Sequence, residues 1–177
     1  MTPVSTGGDP VRRLNEKARL LGWAFICERD PHFEEPKLGE IRALWESRSG
    51  PGKLPARAGF SARDLLRVLP VLMIAEIVRT DNRMRFRYRY VGTQMARTLG
   101  EMTGQFLDEA LPQGSSERTT ACYQATVDAR EPLRFVTQSS LNTISYLSAE
   151  ILSAPLAADG TTVNMLMTVT SFRRTLE

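Results

Sequence analysis

Histidine and cysteine are nearly absent from this chain, and the shortage closes most routes to metal or nucleophile chemistry. His32, Cys27 and Cys122 are the whole complement, and they stand at no spacing recognisable as a metal-ligand cluster or a Cys-His pair. The carboxylates are scattered, without acid-base or nucleophile-base spacing. No catalytic residue and no metal site is expected, and the protein should not be an enzyme. Two distant cysteines suit a reduced, cytoplasmic setting. Long apolar runs are also lacking: LLGWAFIC, residues 20–27, is too short to span a bilayer and no small-residue cleavage site follows it, so no membrane partner is expected. Charge of either sign is barely in excess. The 23 Lys and Arg against 20 Asp and Glu leave +3, which permits nucleic-acid binding without calling for it. GGDP at Gly7 lacks the lysine and helix context of a phosphate loop.

What is present is an ordinary globular composition, 42% hydrophobic and 24% charged, long enough for one sizeable domain with accessory segments. The first ten residues, MTPVSTGGDP, are small, polar and rich in turn formers, and disorder is expected there. A helix should start near Pro10 behind an Asp9 cap. Its apolar residues Val11, Leu14, Ala18, Leu21 and Phe25 form one narrow stripe, whose partner is either the protein's own sheet or the same helix of a second subunit. A second helical pattern, PKLGEIRALWESR at residues 36–48, puts Leu38, Ile41, Leu44 and Trp45 on one side and ends at SGPGKLP. FSARDLLRVLP then reads as a short helix capped by Ser61 and stopped by Pro70.

From Val71 the period changes to two. VLMIAEIVR and RMRFRYRYV read as a hairpin turning at Asp81 and Asn82. That loop sets Arg79 opposite Met84, Ile77 opposite Phe86, Ala75 opposite Tyr88 and Met73 opposite Tyr90, an apolar and aromatic face. On the reverse face Val78 meets Arg85, Glu76 meets Arg87 and Ile74 meets Arg89. The alternating arginines resemble a phosphate-gripping comb. Glu76 opposite Arg87, however, is a cross-strand ion pair worth a few tenths to ~1 kcal/mol, and Leu72, Ile74 and Val78 lie beside the others. Such a face suits a surface covered by another element, with arginine stems over aliphatic residues and heads in water or on carboxylates. The N-terminal helices are the nearest cover. An acidic protein partner and nucleic acid are the alternatives for Arg83, Arg85, Arg87 and Arg89.

Beyond the hairpin, Thr93 can cap a short helix ended by Gly100, and Thr103 with Gly104 can start another stopped by Pro112. A longer helix is expected over residues 115–129. Strand patterns follow at residues 133–139, 144–152 and 163–170, the last two joined through PLAADGTT, where Asp159 and Gly160 signal a turn.

Two strands, short helices and three antiparallel strands form the order of a PAS sensory domain. LPVLMIAEIVR, RFRYRYVGT, MTGQFLDEALP and SAPLAADGTTVNMLM closely resemble the short single-domain PAS proteins common in alphaproteobacteria, as do the LW, LPARAGF and LP segments that precede the first strand. The resemblance covers residues 41–172 and is most specific at FRYRYVGT and TGQFLDEALP. It implies an α+β fold, a five-stranded antiparallel sheet with short helices on one face, plus N-terminal helices. The implied organisation is an N-terminal extension with one helix (1–35), a helical lead-in and connector (36–70), a PAS core (71–172) and a tail (173–177).

The resemblance also implies a concave sheet face that either packs dry or holds a small ligand. Its candidate wall is Met73, Ala75, Ile77, Phe86, Tyr88 and Tyr90, closed by Met95, Leu99, Phe106 and Tyr123 from the helices and by Met165 and Met167 from the last strand. Candidate interface residues are Val11, Leu14, Ala18, Leu21, Phe25, Leu72, Ile74, Val78, Arg85, Arg87 and Arg89. Cofactor identity stays unknown. His32 lies upstream of the domain, which argues against haem, although a Met or Tyr ligand stays open. Cys122 in TTACYQA does not match the NCRFLQ-like helix of a LOV flavin site. No histidine-kinase phosphoacceptor box, nucleotide-cyclase motif or helix-turn-helix is visible. The expected function is therefore a regulatory module without its own effector domain that acts on a signalling protein partner, as a homodimer, through movement at the N-terminal helices, with small-ligand sensing where the cavity is filled; the alternative is a nucleic-acid-binding regulator using the arginine-rich second strand.

Overall fold

A computed structural model describes residues 8–80, 83–140 and 146–174. The expected loop at Asp81 and Asn82, and most of the N-terminal segment expected to be disordered, lie outside the described residues. One antiparallel sheet organises the rest. Its strands are β1 (Phe25–Glu28), β2 (Leu72–Thr80), β3 (Arg83–Val91), β4 (Leu133–Ser140), β5 (Tyr146–Leu156) and β6 (Met165–Arg174), in the order β1-β4-β5-β6-β2-β3. Six helices accompany it among the described residues: α1 (Pro10–Leu21), α2 (Pro36–Arg48), α3 (Ala62–Leu65), α4 (Thr93–Leu99), α5 (Leu107–Ala110) and α6 (Gln113–Ala129).

The sheet therefore has six strands where five were expected, and the sixth comes from the N-terminal extension. The Asp9 carboxylate accepts the Arg12 amide at 3.2 Å to begin α1. Gly22 ends it at φ 65, a left-handed conformation that glycine adopts without strain. Phe25 thus leaves the helix stripe and opens β1, which pairs with β4 from Phe25↔Thr137 to Glu28↔Arg134. Leu21 also leaves the stripe and is 54% exposed. Val11, Leu14 and Ala18 remain buried, and Val11 and Leu14 pack with Cys27, Ala125, Leu133 and Phe135. The first helix packs in cis, on α6 and β1.

Two opposite faces of the sheet are covered by different helices. Glu150 and Ser153 on β5 are three residues apart and so point to opposite sides. The Glu150 carboxylate accepts the amides of Glu34 and Glu35 at 3.1 and 2.9 Å, at the entrance to α2. The Ser153 hydroxyl accepts from Thr126 of α6 at 3.0 Å. α2 is the outer cover, held also by the Trp45 indole N–H on the Pro155 carbonyl at 2.8 Å. α1 does not share that role; it stands with α6 on the inner side.

In the hairpin, Arg79↔Met84, Val78↔Arg85, Ile77↔Phe86, Glu76↔Arg87 and Ala75↔Tyr88 pair in the expected register. Between Ile74 and Ala75 the register shifts, so that Ile74 faces Tyr90 and Met73 faces Val91. Arg89 is the extra residue of a bulge, and the expected pairs Met73 with Tyr90 and Ile74 with Arg89 are replaced. Thr93 is the first residue of α4, whose cap is Gly92.

A cavity beneath the helices

The inner face is built from alternate residues of neighbouring strands, β1, β4, β5, β6 and β2 among them. Register places Met73, Thr168, Ser153 and Leu133 in one row across it, and Thr170, Ile151, Phe135 and Cys27 in another. α6 crosses this face with Arg118, Thr119, Cys122 and Tyr123 toward it, a spacing that lines one side of a helix. Between sheet and helices lies a cavity of about 170 Å³, bordered by these α6 residues, by Met95 and Leu99 of α4, by Leu111, and by Phe25, Met73, Tyr88, Phe135, Thr137, Ile151, Ser153, Thr168 and Thr170 of the sheet. That volume is on the scale of ~150 Å³, which accommodates a benzene ring.

The interior is mainly apolar, with a few hydroxyls from Tyr, Thr and Ser. Tyr88, Tyr123, Met73 and Met95 are buried. Tyr123 lies beside Tyr88 and Thr168, and its ring meets Phe86 edge-on at 5.2 Å. Burial, then the neighbouring Tyr123 hydroxyl, raises the Tyr88 pKa. Burial likewise raises Cys122, and it pushes the Cys27 thiol up to about 12. Both thiols stay protonated and unreactive at neutral pH. Among the described residues no group of three or more His, Cys, Asp or Glu side chains is arranged to hold a metal.

Of the candidate wall residues, the structure brings Met73, Tyr88, Met95, Leu99 and Tyr123 to this cavity. Ala75, Ile77 and Phe86 belong to the same sheet face but pack in the core beside it. Tyr90, displaced by the bulge, donates its hydroxyl to the Leu69 carbonyl at 3.1 Å. Phe106 does not line the cavity; it bridges the edge of β3 opposite Arg87 and lies 3.8 Å from the Arg85 guanidinium. Met165 and Met167 pair with Glu76 and Ile74 and therefore point to the outer face, away from the cavity. The sequence reading did not assign to the wall Phe25, Leu111, Arg118, Thr119, Cys122, Phe135, Thr137, Ile151, Ser153, Thr168 and Thr170. The alternation F-V-T in β4 and T-V-T in β6 carried the signal for the strand residues, and the i, i+1, i+4, i+5 spacing around Tyr123 carried it for Arg118.

Three of the four arginines on β3 hold carboxylates. Arg85 pairs with Asp108 and Glu109, each at 2.6 Å. Arg87 and Arg89 share Glu76 at 2.5 and 3.2 Å. Leu72 and Ile74 are buried in the core cluster that contains Leu38, Ile41 and Trp45 of α2, and Val78 is half-buried. No helix among the described residues is long and apolar enough to cross a membrane.

No curated protein matches the chain. A family model for the PAS domain matches residues 33–170, most of the chain, and runs from before α2 through β2, β3, β4 and β5 into β6, leaving out β1. With that match and an antiparallel sheet carrying its helices in this order, the chain belongs to the PAS-domain family.

Proposed function

We propose that this PAS-domain protein is a sensory module that takes a small, mainly apolar ligand into the cavity and transmits its occupancy through α1 to a signalling partner or a second copy, without catalysing a reaction. The observation that carries this reading is a shared wall. Phe25, Cys122, Phe135 and Ile151 border the cavity and also belong to the cluster that seats Val11 and Leu14 of α1. A molecule entering the cavity pushes on side chains that hold the helix, and close-packed interiors transmit such displacements. Leu20 and Leu21, 74% and 54% exposed at the end of α1, offer the partner an apolar handle. Ligand shifts the helix only to the extent that it binds one arrangement better than the other.

The carboxylates paired with Arg85, Arg87 and Arg89 favour this reading over nucleic-acid binding. We place the protein in the bacterial cytoplasm, on the resemblance of FRYRYVGT and TGQFLDEALP to short alphaproteobacterial PAS proteins and on its two free cysteines. An NMR titration with toluene tests the reading. Saturable shifts are expected at the Met73 and Met95 methyls and at the amides of α1 and β1. Absence of saturable shifts at those methyls contradicts the ligand site; shifts there with none in α1 or β1 contradict the route of transmission.

A further inference from the structure

We infer that the ligand is a small organic monocarboxylate, a single ring or short chain bearing one carboxylate, and that Arg118 at the cavity mouth receives its charge. This inference rests on the reading of the cavity as a ligand site. The floor is formed by buried Met73, Tyr88, Met95 and Tyr123; of the hydroxyls bordering it, Thr168 donates to the Met73 carbonyl at 3.3 Å and Ser153 accepts from Thr126. The mouth is the side where Phe25, Leu99, Thr119 and Thr137 reach the surface. Arg118 borders the cavity there, one helical turn before Cys122, and is half-buried.

Arg118 differs from the other half-buried arginines. Arg85, Arg87 and Arg134 each hold a carboxylate, whereas no carboxylate or carbonyl among the described residues takes the Arg118 guanidinium. It is also the only charged side chain bordering the cavity among those residues. A guanidinium beside apolar walls has lost part of its hydration without gaining a partner, and an incoming anion restores the balance. Its planar fork matches the two oxygens of a carboxylate. One positive charge matches one negative charge; a dianionic phosphate ester would leave a charge uncompensated in an apolar mouth. The cavity volume of about 170 Å³ limits the body of the ligand to one ring or a short chain.

Isothermal titration of the full chain with benzoate, hexanoate and toluene, in wild type, Arg118→Met and Thr119→Phe, decides the matter. Benzoate and hexanoate should bind wild type and lose about tenfold or more in affinity in Arg118→Met, because a charge-assisted bidentate pair is removed. Toluene should bind both proteins alike. Thr119→Phe, which narrows the mouth, should weaken all three. Carboxylate affinities unchanged by Arg118→Met, or toluene binding without carboxylate binding, would overturn the inference while leaving the cavity as a ligand site. Failure of all three probes to bind would remove the ligand site itself and the inference with it.

Discussion

Glu150 is a buried carboxylate, 5% exposed on the outer face of the sheet, and its surroundings explain how it stays charged. Burial pushes its pKa up, but the Glu35 amide, the Arg134 guanidinium and the Glu34 amide together outweigh burial and hold it below the ordinary glutamate value. A group with a depressed folded pKa stabilises the fold above its unfolded pKa, and the contribution disappears as pH falls through the folded pKa. Glu150→Gln should therefore cost about 1.5–3 kcal/mol at neutral pH, the range for hydrogen bonds to a charged group. The gap from wild type should narrow on acidification, as read by urea unfolding across pH; a gap independent of pH would contradict this role. Gly92 is constrained by space. A Cβ there would sit 2.3 Å from the Leu69 carbonyl oxygen and 2.4 Å from that of Pro70, both backbone atoms that cannot rotate aside. Gly92→Ala should destabilise by about 1–3 kcal/mol through overpacking, measurable in the same unfolding assay.

At the scale of elements, α1 is joined to the sheet through an unusual strand neighbour, the Asn15 side chain. Its amide donates to the Cys27 carbonyl at 2.8 Å and accepts the Cys27 N–H at 2.9 Å, satisfying the open edge of β1 as another strand would. Asn15→Ala should cost about 1–3 kcal/mol, the penalty for leaving such groups unpaired. Hydrogen exchange should accelerate at Cys27 and leave the centre of β5 and β6 protected; uniform acceleration would contradict a local role. The hairpin register from Arg79 to Ala75 was legible because alternation and a polar turn fix it together. The bulge at Arg89 was not, since one extra residue leaves the composition of the strand unchanged. Its consequence was to move Tyr90 away from the expected wall. Gly22 was the available sign that α1 stops before Phe25, but FICE is too short to announce a strand by periodicity. Met165 and Met167 suit an adaptable pocket chemically, yet parity along β6 gives the inner face to Leu166 and Thr168 instead.

Across the whole molecule, the sheet separates two jobs. α2 seals the outer face around Trp45 and Glu150, while α1, α4 and α6 meet the inner face where the cavity lies. The start of α1, the end of β1 and the turn before β4 are tied by Arg29, which pairs with Asp9 and with Glu131, the latter at 2.5 Å. That tie and the shared Phe25 and Phe135 wall make α1 the element best placed to respond to a filled cavity. Removal of residues 1–21 should uncover this wall, weaken toluene binding and change the oligomeric state seen by light scattering; a truncated chain that binds toluene as wild type does would contradict the coupling. The most direct test of the central claim is native mass spectrometry of the freshly purified full chain, compared with its denatured mass. A discrete small excess, released on denaturation and reduced in Thr119→Phe, is the predicted result. A bare chain with no releasable mass, also unable to take up added probes, would contradict the cavity as a ligand site.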